Sequence, residues 1–306
     1  MSKINRRKFL ASTSLTAAGI MLGSSSLESC TSEKKPVISS YDVMKEIFKY
    51  RKIDAHAHPP ADLKTQIEIA DKLGITKLQL SEPSTDPLVK PEEIRKNNDR
   101  VLEAIKQYPD RYIGFFTLNP AYPKEAMEEL KRCIDLGMAG YKGYTQVKVN
   151  DPLYYPIIEK LIDLKMPVFM HTFTQLGMGG YRMKYDIGIG ANTTLPEDMA
   201  DAAKRYPEAI FHFAHIGGGG DWEYQCKLLA DYPNIYVDTG GSNNEENIVD
   251  FAIRYLGEDR LFFGCDSSYH HAVGRIMASN TTEAQKRKIF FDNYNNVLKR
   301  GGHNVA

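Results

Sequence analysis

Two imidazoles spaced two residues apart are the first feature of this chain that could do chemistry. His56 and His58 close the run Ile53-Asp54-Ala55-His56-Ala57-His58, and alternation along an extended segment sends both side chains to one side. Two such nitrogens can hold one cation, at about 2.0 to 2.1 Å each where the ion is zinc. Three more residues end apolar runs in the same way. They are His171 after Pro167-Val168-Phe169-Met170, His215 after Phe211-His212-Phe213-Ala214, and Asp266 after Leu261-Phe262-Phe263-Gly264-Cys265. A carboxylate that follows so apolar a stretch needs a cation or several donors to offset its desolvation. If alternation turns His215 inward it also turns Phe211 and Phe213 inward and His212 outward, so His212 reads as a structural histidine outside the site. Lys142 shares a face with Gly140 and Tyr144. It is read either as a cation that positions a substrate carboxylate or as a side chain snorkelling to solvent. Asp54 is read as lying outside the barrel's interior face, where it orients a ligand or caps a turn.

Bringing residues so far apart in sequence to one place requires a repeating scaffold. From residue 50 onward, short β-rich runs alternate with helical patterns, which predicts a parallel sheet. The predicted strands are 51–57, 75–81, 112–118, 138–144, 166–172, 209–215, 235–239 and 261–266. Between them, Ile157, Ile158, Leu161, Ile162 and Leu164 recur at helical spacing, with Glu159, Asp163 and Lys165 on the remaining arc. Pro91, Pro123 and Pro196 stand where helices would begin, and Gly74 and Gly137 where they would end. Eight strand–helix units in about 250 residues fit a closed (β/α)8 TIM barrel, and no Gly-rich first turn announces an open doubly wound sheet. In such a barrel the C-terminal ends of the strands form the active rim, where His56, His58, His171, His215 and Asp266 all fall.

Together these positions resemble the metal-binding pattern of the amidohydrolase superfamily: His-x-His on strand 1, one histidine on each of strands 5 and 6, and an aspartate on strand 8. The resemblance extends to the amidohydrolase-related (amidohydrolase 2) branch, which holds metal-dependent hydrolases and non-oxidative decarboxylases. Asn98-Asp99, Pro109-Asp110-Arg111-Tyr112-Ile113-Gly114, Gly140-Tyr141-Lys142-Gly143, His215-Ile216-Gly217-Gly218, and Asn293 ahead of Val297-Leu298 carry it, over about residues 51–300. It implies His56, His58, His171 and Asp266 as ligands of one divalent ion, most simply Zn2+. Asp266 would take a proton as metal-activated water attacks an ester, lactone or amide carbon, and His215 would polarise the carbonyl or steady the leaving group. By the same resemblance Lys142 could be carbamylated and bridge a second metal. Decarboxylation on the same ion is the alternative to this hydrolytic reading. A phosphoesterase ranks below both, because strand 4 offers Lys142 in place of a glutamate ligand, and a barrel that binds without catalysing is a third reading.

Composition narrows the partners. The 306 residues carry 39 basic and 39 acidic side chains, so there is no electrostatic footprint for nucleic acid or an anionic membrane. A small molecule is the expected partner. Arg182, Lys184, His270, His271 and Arg275 near the expected mouth favour an anionic one, and a homo-oligomer stays open. The Gly-rich loop 172–194 has the length of a lid. Cys30, Cys133, Cys226 and Cys265 show no disulfide spacing. Residues 1–30 read as a twin-arginine-type export leader, with Arg6-Arg7-Lys8 ahead of a modest apolar stretch. Leu27-Glu28-Ser29-Cys30 resembles a lipobox, which would anchor the protein to the membrane through Cys30. Residues 31–49 are then a linker and N-terminal segment, 50–306 the catalytic barrel, and the location periplasmic.

Overall fold

Each of the eight apolar runs contains a strand, somewhat shorter than the run itself. The computed structural model describes residues 42–174, 190–216, 220–241 and 245–303, with Val305 and the backbone of 176–177 and 181–182. The expected leader and Cys30 lie outside the described residues. A short α1 (Val43–Ile47) leads to β1 (Lys52–Ala57), α2 (Leu63–Lys72), β2 (Ile75–Leu80), α3 (Pro91–Gln107), β3 (Tyr112–Phe116) and α4 (Pro123–Asp135). Then come β4 (Gly140–Gly143), α5 (Tyr155–Asp163), β5 (Val168–Met170), α6 (Pro196–Arg205), β6 (Phe211–Phe213), α7 (Trp222–Leu229) and β7 (Ile235–Asp238). The chain finishes with α8 (Ile248–Leu256), β8 (Leu261–Phe262), α9 (Tyr269–Ala278), α10 (Glu283–Arg287) and, after a π-turn, α11 (Asn293–Arg300). No described helix is long and apolar enough to cross a membrane.

All eight strands are parallel and neighbour one another in chain order. Two backbone hydrogen bonds bring the last strand round to the first: Ala55 N–H to Phe263 O (2.8 Å) and Asp266 N–H to His56 O (2.8 Å). The Asp54 carboxylate reinforces this seam by accepting from the backbone N–H of both His56 and Cys265, each at 2.9 Å. The barrel is a packed core. Ile53, Ala55, Phe115, Phe169 and Phe262 fill it from the strands, and Tyr294, Val297 and Leu298 of α11 join them. Outside the sheet a second, larger cluster packs strands on helices, which is why the strands read as near-continuous apolar runs.

The predicted helix punctuation holds. Pro91, Pro123 and Pro196 take the first positions of α3, α4 and α6, where a missing N–H leaves nothing unbonded. Gly74 and Gly137 adopt φ of +68° and +88° just past α2 and α4. Motifs quoted above prove to be latches between elements. The Asn98 amide group of α3 bonds both backbone groups of Thr117 and the Glu129 carboxylate of α4. Arg111 donates to the carbonyls of Ile75 and Thr76 and pairs with Asp71, and Asn293 donates to the carbonyls of Glu258 and Leu261. Cys133, Cys226 and Cys265 are free and buried.

Candidate metal centre

The seam between β1 and β8 is where the candidate ligands meet. His56, next to last in β1, lies across from Asp266, whose backbone N–H its carbonyl accepts, and His58 follows one residue past β1. A register shift between Asp54 and Ala57 places three residues of β1 against two of β2, a bulge that re-aims side chains locally. Nε2 of His56 and Nε2 of His58 each lie 3.5 Å from Asp266 Oδ1, and one donor atom from each of the three residues falls within 4.8 Å of the others.

That donor set fits a divalent cation. His58 Nδ1 lies 2.8 Å from the carbonyl oxygen of Ser81, which can only accept, so Nδ1 donates there and Nε2 is the nitrogen turned toward Asp266. Burial, together with the positive charge of Lys142, pushes the His56 pKa down to about 3, so its ring is neutral near pH 7. The neutral His56 imidazole, Nε2 of His58 and a carboxylate therefore face one another. Burial opposes the charge of Asp266, yet the His56, His58 and His215 rings overcome this and hold its carboxyl well below the usual range. Converging acceptors of this kind are stable around a cation and unfavourable without one.

His171 stands beside this group of three rather than within it. Its ring stacks on Tyr144 (centroids 4.2 Å apart) and meets His215 edge-on at 5.1 Å. Burial, then the neighbouring His215, Lys142 and His56, lowers its pKa to about 2, leaving an imidazole free to ligate. His215 stacks on His56 at 5.8 Å, and burial lowers its pKa too. Lys142 points inward: its Nζ lies 3.4 Å from His56 Nε2 and 3.4 Å from the centre of the Phe169 ring. Burial brings its pKa from 10.5 to about 7. Gly140 precedes it because a Cβ there would come within 2.5 Å of the Phe115 ring. A cavity of about 410 Å³ opens beside His171, lined among others by Tyr144, Thr145, Phe173, Asn192 and Thr193.

Two expectations need correction, and one residue of the site was overlooked. His212 does not face the helices: it is fully buried within the barrel, stacked on Phe169 at 3.8 Å and edge-on to Phe262, while Phe211 and Phe213 face the helices. Alternation fails because β6 ends at Phe213 and His215 takes φ +41°, which turns its side chain back inward. Arg275 is not a cation offered at the mouth. Its guanidinium donates to the carbonyls of Thr239, Gly240 and Gly241 and so clamps the turn after β7. Asp238 was missed altogether. It ends β7 and accepts hydrogen bonds from two histidines and two backbone amides of the site. Its signal was present, since an acid closing an apolar run is the pattern that singled out Asp266. Lys184 and residues 183–189 of the long loop lie outside the described residues. The described part forms a hairpin pairing 176–177 with 181–182, and Thr172 bridges Thr194 at its base.

With this geometry established, known proteins supply a comparison. A family model described as Amidohydrolase matches residues 53–293. The chain is 26% identical over 284 residues to the gamma-resorcylate decarboxylase of Polaromonas sp., covering 76% of this chain and 86% of that protein. It is 24% identical over 267 residues to the 2-amino-3-carboxymuconate-6-semialdehyde decarboxylase of Dictyostelium discoideum, covering 78% and 74%. The solved structure of a dihydroxybenzoic acid decarboxylase from Polaromonas sp. JS666, with bound manganese and the inhibitor 2-nitroresorcinol, matches with a TM-score of 0.65. That match has 20% identity and covers 82% of this chain and 97% of the other, a likeness of fold. The expectation of hydrolysis is thereby corrected, because these curated relatives, matched across about three quarters of the chain, are decarboxylases. The ligand set could not reveal this, since one ion can serve either chemistry.

Proposed function

Since the chain belongs to the amidohydrolase family, we propose that it is a metal-dependent decarboxylase that removes carbon dioxide from a small carboxylic acid without oxidation. The observation that carries this reading is the match to two decarboxylases over 76% and 78% of the chain. The donor set of His56, His58 and Asp266 supports a divalent ion, with His171 proposed as a further ligand. For its identity we propose zinc, which imidazole and carboxylate donors suit. Elemental analysis of protein purified without chelators checks this, with stoichiometric manganese as the opposing result.

A bound divalent ion supplies positive charge for the substrate's carboxylate and for the electron pair left on the adjacent carbon. Lys142, with its Nζ 3.4 Å from His56 Nε2, adds a second positive charge beside the substrate carboxylate when protonated. Asp266 is 28% exposed at its side chain, so its carboxylate can steer a proton from solvent toward the carbon. As the carbon–carbon bond breaks, its electron pair stays on that carbon and is taken up by the proton, and neutral carbon dioxide departs. His215, neutral and aimed inward, offers a hydrogen bond to a substrate oxygen. The cavity beside His171 has the volume expected of a small-ligand site, typically about 300 to 1,000 Å³, and would hold a single ring or a short chain.

The test is a panel of aromatic and short-chain acids, including 2,6-dihydroxybenzoate, offered to metal-loaded protein. Carbon dioxide and the decarboxylated product should appear in equal amounts, with one deuterium entering the product in heavy water. Asp266→Asn should lower turnover by about 100-fold or more. Cleavage of lactones or amides with no carbon dioxide from any acid would overturn the proposal.

A further inference from the structure

Asp238 sits where the site's geometry is set without touching the space a substrate would occupy. Its carboxylate is fully buried, and both oxygens are spent. Oδ2 lies 3.1 Å from Nδ1 of His56 and 2.9 Å from Nε2 of His212. Oδ1 accepts from the backbone N–H of His215 at 3.1 Å and of Gly240 at 2.8 Å. The backbone wraps it closely, since a Cβ at Gly240 or at Gly264 would come within 2.9 Å of Oδ1. A single anion thus reaches one imidazole of the metal group, a second imidazole in the barrel core, and the turn that carries His215.

We infer that Asp238 is the positioning residue of this centre: it fixes the His56 proton on Nδ1, so that the Nε2 lone pair faces Asp266 and the ion, while holding the turn that aims His215. The chemistry is that of the carboxylate–histidine–metal triad, in which an acceptor behind the ligating ring sets its tautomer and raises its basicity. Here the acceptor is shared. His212 donates its Nε2 proton to the same oxygen, and its ring lies flat on Phe169, which also meets His56 at a near-right angle and the ammonium of Lys142. The anion, both histidines and the lysine are therefore packed together behind the metal group. This inference rests on the metal reading above, but its direct readout needs no metal.

In metal-free wild-type protein labelled with nitrogen-15, His56 should carry its proton on Nδ1; a proton on Nε2 would overturn the inference whatever the metal affinity proves to be. Asp238→Asn keeps the size of the side chain and can still accept from the two backbone amides, but its NH2 group donates where Oδ2 accepted. The His56 proton should then move to Nε2, and competition with a chromophoric chelator should show Zn2+ or Mn2+ held about 10- to 100-fold more weakly. Unchanged tautomer and affinity in a folded Asp238→Asn protein would equally overturn it. If that variant does not fold, the wild-type measurement decides alone. A wild-type protein that holds no divalent ion would instead count against the decarboxylase reading, leaving the tautomer result to stand or fall separately.

Discussion

His215 and Asp266 share an uncommon backbone. Among the described non-glycine residues only Lys165, His215, Asp266 and Ser267 have positive φ, and two of these four are in the site. Left-handed backbone costs an L-residue roughly 1 to 2 kcal/mol, a strain that persists where neighbours over-determine it. For His215 the neighbours are Asp238, which holds its N–H, and Gly241, which presses on its side chain. Gly241 has φ +79°, and a Cβ there would lie 2.7 Å from the Cβ of His215. Gly241→Ala should displace the imidazole, lowering kcat about 10- to 100-fold while KM changes by no more than about threefold, since small misplacements of reacting groups are costly. Steady-state kinetics on an accepted substrate decides it. An unchanged kcat would mean that the aim of His215 does not matter. At this scale the sequence showed which residues could ligate, because imidazoles and acids ending apolar runs are visible as such. It did not show side-chain direction past a strand's end, where the His212 reading failed.

Elements were the most legible level, because prolines and glycines punctuate helices by steric rules that need no tertiary context. What the sequence left unread is how elements are fastened together. Lys52 opens β1 and is buried, with its Nζ donating to the carbonyls of Ile47, at the end of α1, and Tyr50, and facing the Phe290 ring. Burial lowers its pKa from 10.5 to about 8. The sign follows from proton counts. Between about pH 8 and 10.5 the unfolded chain binds more protons at this residue than the folded one, so its penalty is full below the folded value and fades as pH rises. Urea unfolding should therefore show stability rising with pH through that window relative to Lys52→Met, which lacks the titrating group. A parallel pH dependence in the two proteins would refute the assignment.

For the whole molecule, the consequence of the barrel is that its first and last strands meet, and the metal group sits on that meeting. His56 and Asp266 are separated by most of the chain, so an ion bound between them ties its two ends together. Removing the ion should loosen the seam and the closing helix with it. At free ion 100-fold above Kd, linkage adds about 2.7 kcal/mol, on the order of 5 °C or more in Tm for a chain this long. Scanning calorimetry should show that loss after chelation and its recovery with one equivalent of Zn2+ per chain. Equal melting with and without the ion would argue against a site closed by His56, His58 and Asp266.

By itself the sequence determined the barrel and the chemical type of its centre. Eight apolar runs spaced by amphipathic helices allow few parallel architectures, and residues ending those runs must share a rim. Only the tertiary structure decided which acids and imidazoles touch. It brought His56, His58 and Asp266 together, set His171 to one side, turned His212 into the core, and placed Asp238 behind His56. The physical reason is that strand alternation is a local rule, obeyed only while the backbone stays extended. At the bulge in β1 and the left-handed residues His215 and Asp266 the chain leaves that regime, and side-chain direction is settled by hydrogen bonds and packing from distant segments.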